Sequence, residues 1–369
     1  MTQNPRTWVK AHPIAAFFLL AIALMFGALF PAIYLVPRDN TVGQILGFYL
    51  GVIAVYSPVG SGLLVTRIVH PGRPKVPWAR RLPVFLPALV VAAVIQTANL
   101  KLTAPPSASL IALIGLLALP VSVLPAWVIS SAFSGTDGVR RMLATLVRPR
   151  GNVGYYLIAL LTFPFIHVVG TGITNVRNGA PWLPTLSGGA GLVYTVLVTF
   201  CTVLLFAGGL NEESGWRGFA QHRLQARYSP LVANLFLWFM MVIWHVPNDI
   251  LQYRNGGYVM VRLALYPCIT ILLGWIYNRT KGSILAPALF HASMNSMNPL
   301  MGLFPITTAG NVLLVGFAVA VVVFDRMWRK LPADHPAGYR EGAPSLDPAP
   351  WPRERRPGIG LHLGQLHGR

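Results

Sequence analysis

Acidic residues are scarce in this chain. It carries 10 Asp and Glu in 369 residues against 29 Lys and Arg, for a formal net charge of +19. Charge of either sign is thin, at 11% of residues, where a soluble domain carries about a quarter. That excludes an ordinary soluble globule. There are two cysteines, Cys201 and Cys268, so a disulfide framework is excluded and a Cys-based metal site with it. Both lie in apolar runs and are expected to be inert buried thiols. No H-E-x-x-H helix is present, no Ser or Cys nucleophile motif stands out, and no internal repeat is visible. The lack of paired repeats weakens a transporter reading.

What is abundant is apolar sequence, 54% of the chain. A hydrocarbon core of ~30 Å needs ~20 consecutive apolar residues in a helix. Ten runs approach that length, at 13–36, 43–66, 82–99, 108–131, 155–174, 188–210, 230–247, 258–277, 283–299 and 307–325. The expected fold is all-α: a polytopic transmembrane helix bundle of about ten spans. The first run exceeds a signal-peptide core, and no small-x-small site follows it, so it is expected to remain as a helix. With ten spans, all but five of the 29 Lys and Arg fall on one side. The five are Arg38, Lys101, Arg177, Arg254 and Arg262. The positive-inside rule then puts both termini in the cytoplasm. The basic excess is accounted for by topology, so no nucleic-acid partner is implied. The Pro-rich basic loop from His70 to Pro77 is a candidate contact for anionic lipid.

Residues 1–180 form an N-terminal region of about five spans with little specific chemistry. His167 within it is expected to be a packed, hydrogen-bonded side chain. Residues 188–299 hold nearly all the polar groups at membrane depth, 300–330 the final span, and 331–369 a Pro- and Arg-rich cytoplasmic tail that is too polar to bury a core and is expected to be disordered. The Ala-, Pro- and Arg-rich composition points to an integral protein of a bacterial cytoplasmic membrane.

Two of the few acids are neighbours, Glu212 and Glu213, in the run Asn211-Glu212-Glu213-Ser214-Gly215-Trp216-Arg217-Gly218. Intramembrane carboxylates are costly and mark functional sites. Glu213 and Arg217 are i,i+4 and share a helix face, whereas Glu212 points about 100° away. If the sixth helix runs on to about Ala226 and the seventh starts at Pro230, Glu212 and His245 both lie ~24 Å from the intervening turn. In an antiparallel pair they then share one depth. His291 and Asn295, also i,i+4, form a polar face on the ninth run. A carboxylate and a histidine at one depth can deprotonate a water, and a His–Asn pair can donate to an oxyanion. Those are the parts of a peptide-bond hydrolysis. Glu212, His245 and His291 are equally a possible His₂Glu zinc set, and the whole group could instead be polar glue between helices.

Glu212-Glu213-x-x-x-Arg217, Trp244-His245-Val246-Pro247 and His291-x-x-x-Asn295 resemble, in order, the three motifs of the CAAX protease and bacteriocin-processing (CPBP, Abi) family. Met241 stands four residues before His245, where that family commonly has Phe. The resemblance implies a membrane-embedded endopeptidase with no required cofactor, acting on a membrane-associated peptide or protein within the lipid bilayer. It implies Glu212 as the base, assisted by His245. His291 and Asn295 would form the oxyanion site, with Glu213 and Arg217 in support. The substrate stays open between CAAX-type processing, peptide maturation and bacteriocin immunity. The alternatives are a non-catalytic immunity or scaffold protein and a zinc-dependent protease using the same residues.

Overall fold

A computed structural model describes residues 4–37, 39–70, 78–103, 108–133, 137–185, 188–253 and 257–338. Every regular element among them is helical. A short α1 (Pro5–Ala11) leads into α2 (Pro13–Tyr34), α3 (Thr41–Val55), α4 (Ser57–Val69), α5 (Trp78–Thr103), α6 (Ala108–Ser131), α7 (Asp137–Val147) and α8 (Gly154–Arg177). The second half has α9 (Gly189–Phe206), α10 (Gly209–Gly215), a π-helical turn (Trp216–Gln221), α11 (His222–Leu224), α12 (Pro230–Tyr253), α13 (Gly257–Arg279), α14 (Leu285–Asn295) and α15 (Thr308–Phe324). The chain is a polytopic integral membrane protein.

The span count differs from the expected ten. Among the described residues six helices are long and apolar enough to cross a membrane, or seven if α3 and α4 count as one bent span. An apolar run records composition but not continuity. The run 43–66 bends by 51° between Val55 and Ser57, where Pro58 starts a new helix, the position proline favours. The run 283–299 holds only α14, eleven residues and so about 16 Å long. It is a half-length helix packed inside the bundle against α8, α9 and α10, an arrangement allowed at membrane depth only where protein surrounds it. Leu117–Ser131 and Thr308–Phe324 are apolar but short.

The helix through the glutamates continues to Leu224, close to the expected end, but it is interrupted at Ala207 and Gly208. Pro230 does open α12. Arg262, counted above among the charges of the opposite side, is buried in α13 and paired with Asp249 at 2.7 Å. Arg254, residues 71–77 of the basic loop and residues 339–369 of the tail lie outside the described residues. The start of the tail is packed: Ala337 is fully buried and its carbonyl accepts from Gln225 Nε2 at 3.1 Å.

Two apolar cores divide the bundle. One gathers α2, α4 and the π turn around Phe17, Trp216, Phe219 and Trp244. The other gathers α8, α13, α14 and α15 around Phe163, Leu272, Phe290 and Leu314. Outward faces of α5, α8, α9 and α15 expose Leu86, Val90, Leu161, Leu197 and Val319, the apolar surface that a hydrocarbon solvent accepts. His167 is buried, and its Nδ1–H donates to the Phe304 carbonyl at 2.8 Å.

Candidate active site

The site sits where the two cores meet. Its first wall is α10. Gly208, with φ +141°, turns the chain out of α9 so that α10 can begin at Gly209. Only glycine fits there: its backbone conformation is one that L-residues avoid, and a Cβ would overlap the His291 ring. Asn211 closes the turn by accepting from the Gly208 N–H at 2.8 Å, while its Nδ2 donates to the Val55 carbonyl of α3 at 2.6 Å. Gly215 lets the backbone of Pro58 approach, again where a Cβ would collide. The π turn that follows is a form found mostly at functional sites.

Glu213 is fully buried and held twice. Its Oε2 meets Arg217 Nη1 at 3.1 Å, and its Oε1 accepts from His291 Nδ1 at 2.8 Å. The i,i+4 pairing with Arg217 is the one its spacing predicts. The bond to His291 crosses from α10 to α14 and fixes the imidazole so that Nε2 faces away from the carboxylate. Glu212 has a different environment. It is buried, and its Oε2 accepts one long hydrogen bond, 3.4 Å, from Trp216 Nε1. On α12, His245 Nδ1–H donates to the Met241 carbonyl at 2.7 Å, again leaving Nε2 as the working nitrogen. Trp216, the partner of Glu212, packs edge to face on Trp244 at 5.7 Å, and Trp244 on the His245 ring at 4.6 Å, with no direct hydrogen bond between Glu212 and His245. Asn295, one turn beyond His291, is half-buried and lines a cavity of about 130 Å³ with His167, Tyr266 and Phe163. The Tyr266 ring is 6.3 Å from that of His245, so the cavity adjoins the site.

The three sequence motifs therefore come together from α10, α12 and α14. A metal set is less well formed. Among the described residues no group of three or more His, Cys, Asp and Glu is arranged to hold an ion. The carboxylate bonded to His291 is Glu213, already paired with Arg217.

A profile of the type II CAAX prenyl endopeptidases, Rce1-like, matches residues 195–297. This segment is similar to the CAAX prenyl endopeptidases. The CAAX protease match begins within α9 and ends just past α14, so it contains all of the residues above from Gly208 to Asn295. A CAAX prenyl protease 2 from Methanococcus maripaludis is 28% identical over 135 residues, which is 33% of this chain and 49% of that protein. The chain thus spans about half the length of the curated relative it matches.

Several contributors escaped the motif reading. Gly208 falls inside the apolar run 188–210 and carries no motif signal. The Asp249–Arg262 pair, buried and stacked on Tyr266 at 4.6 Å, had one usable signal, a further acid among so few. Trp244 Nε1 donates to Ser57 Oγ at 2.8 Å, and Trp216 packs on Phe17 and Phe18. Through these contacts the N-terminal helices brace the site.

Proposed function

We propose that this chain is an intramembrane endopeptidase that hydrolyses a peptide bond with a water activated by Glu212. The observation carrying the reading is the unequal engagement of the glutamates. Glu213 spends both oxygens on Arg217 and His291, whereas Glu212 holds only one long bond from Trp216. Glu212 keeps lone pairs for a water, and His245 Nε2 can take part in the same proton transfer. In this reading His291, its Nδ1–H given to Glu213, donates from Nε2 to the developing oxyanion as the imidazolium, and the Asn295 amide is the second donor. In this reading a water held between Glu212 and His245 is the nucleophile.

The family supports a CAAX-type substrate, a membrane-associated protein cut near its end, over maturation of another peptide. Composition carries the reading of a bacterial cytoplasmic membrane; the charge count that put both termini in the cytoplasm used ten spans and does not carry over to six or seven. A zinc-dependent variant would use Glu212, His245 and His291. Metal analysis of the purified protein, with activity measured before and after chelation, separates the two chemistries. A non-catalytic immunity or scaffold role would leave the polar cluster as packing alone.

The deciding test is Glu212→Gln in lipid nanodiscs against a farnesylated C-terminal peptide library. Cleavage is expected to fall by about 10²–10⁴-fold, the usual contribution of a positioned base, with thermal stability retained. Full activity in the variant would overturn the assignment.

A further inference from the structure

Beyond the motif residues, Glu213, Arg217, Gln221 and Gln225 recur at every fourth position, and all are buried. They form a polar stripe running from His291 through the π turn to the end of the bundle where Ala337 docks. Hydrogen bonds account for part of it. Gln221 Nε2 donates to Gln225 Oε1 at 3.0 Å and to the Gly274 carbonyl at 3.3 Å. Gln225 Nε2 donates to Asn278 Oδ1 at 2.9 Å and to the Ala337 carbonyl. Arg217 Nη1 lies 3.7 Å from the Met241 sulfur, and its ion pair with Glu213 Oε2 is close but misaligned for an N–H bond.

The remainder is a set of buried groups without hydrogen-bond partners. Arg217 Nε and Nη2 are donors without acceptors, and Glu213 Oε2, Gln221 Oε1 and Asn234 Oδ1 are acceptors without donors. Asn234 reaches this place from α12. Its amide lies against Gly274, where a Cβ would overlap it, and Gln221 bonds the carbonyl of that same Gly274. Left unmet, each such group costs about 1–3 kcal/mol. Apolar packing cannot satisfy them, while a buried water makes about three hydrogen bonds to groups of this kind.

We propose that this stripe is a water-binding conduit, in which ordered internal waters bonded to Arg217, Gln221 and Asn234 link the glutamate site to the end of the bundle closed by Ala337. As a supply of the hydrolytic water, it rests on the peptidase reading; as a hydrated path, it does not. The stripe then resupplies water to the site from the side of Arg217.

Hydroxyl-radical footprinting of the full chain in nanodiscs tests the hydration, because methionine is labelled where water adjoins it. Met241 and Met25 are comparably buried, at 4% and 1% exposure, and both lie in membrane spans. Met241, beside Arg217, is expected to oxidise readily while Met25 stays unmodified; equal protection of the two overturns the conduit. Gln221→Leu keeps bulk and removes the acceptor. It is expected to lower Met241 labelling and to lower kcat about tenfold at unchanged KM, with a lowered thermal midpoint because Gln225 and the Gly274 carbonyl lose a donor. Unchanged kcat in the folded variant overturns the supply role. Labelling needs no substrate, so a failed peptidase assignment would show in Glu212→Gln turnover and not in the footprint.

Discussion

Three hydroxyls of the N-terminal region and three polar pairs of residues 188–299 are satisfied in opposite ways. In α6 and α8, Ser122, Thr162 and Thr174 each donate to the carbonyl four residues back, at 2.6–2.9 Å. Such a bond is satisfied within one helix and says nothing about neighbouring helices. Between α9 and α14 the partners lie on other helices: Glu213 with His291, Asp249 with Arg262, Ser293 with the Leu160 carbonyl. These bonds fix where one helix stands against another. Tyr56 and Ser57, at the bend between α3 and α4, break the N-terminal pattern, and both bond to residues 188–299: Tyr56 to the Leu205 carbonyl and Ser57 to Trp244. Arg81 to Ser130 and Ser131, and His167 to the Phe304 carbonyl, also cross between helices, so the self-contained groups of this region are the three hydroxyls named above. Residues 188–299 hold a constellation that exists only when the helices are in register.

The largest test of this contrast is Glu213→Ala. It strips partners from both Arg217 and His291, and leaving buried charges unpaired costs about 3–5 kcal/mol. A strongly lowered unfolding midpoint in nanodiscs is expected, with loss of cleavage; a midpoint equal to wild type would remove the distinction. Ser57→Ala is intermediate. It orphans the Trp244 indole N–H at the joint between regions, for a cost of about 1–3 kcal/mol, and should shift the midpoint measurably while leaving turnover within a few-fold. Smallest is Thr162→Val. Because Ile158 keeps its helical bond when the hydroxyl goes, the change should lie within about 0.5 kcal/mol. A larger loss would mean that this hydroxyl also holds α8 against its neighbours.

Much of the site could be read from spacing. The Glu213–Arg217 pair follows from a four-residue interval, and the start of α12 from Pro230. Other features depend on contacts that no interval encodes. The bond from Glu213 to His291 spans 78 positions, and the choice of Glu213 over Glu212 depends on the break at Gly208, which turns α10 relative to α9. The span count failed for a related reason: hydropathy cannot see that α14 stops at Asn295 or that Val55 and Ser57 flank a bend. Arg262 fitted a charge-asymmetry argument as a loop residue only because its partner, Asp249, is thirteen positions away across a hairpin. Conversely, the fourfold repeat at 213, 217, 221 and 225 was fully visible and overlooked beyond Arg217, since Gln carries no charge to draw notice.

The double hold on Glu213 also has a timetable. During synthesis at ~5–20 residues per second, His291 follows Glu213 by 78 residues, so on the order of ten seconds separate them. Arg217 follows within about a second, on the same helix and face. The carboxylate therefore enters the bilayer already escorted by a cation, and its catalytic-site partner arrives only when α14 is made. The near partner makes insertion tolerable, and the far one completes the site.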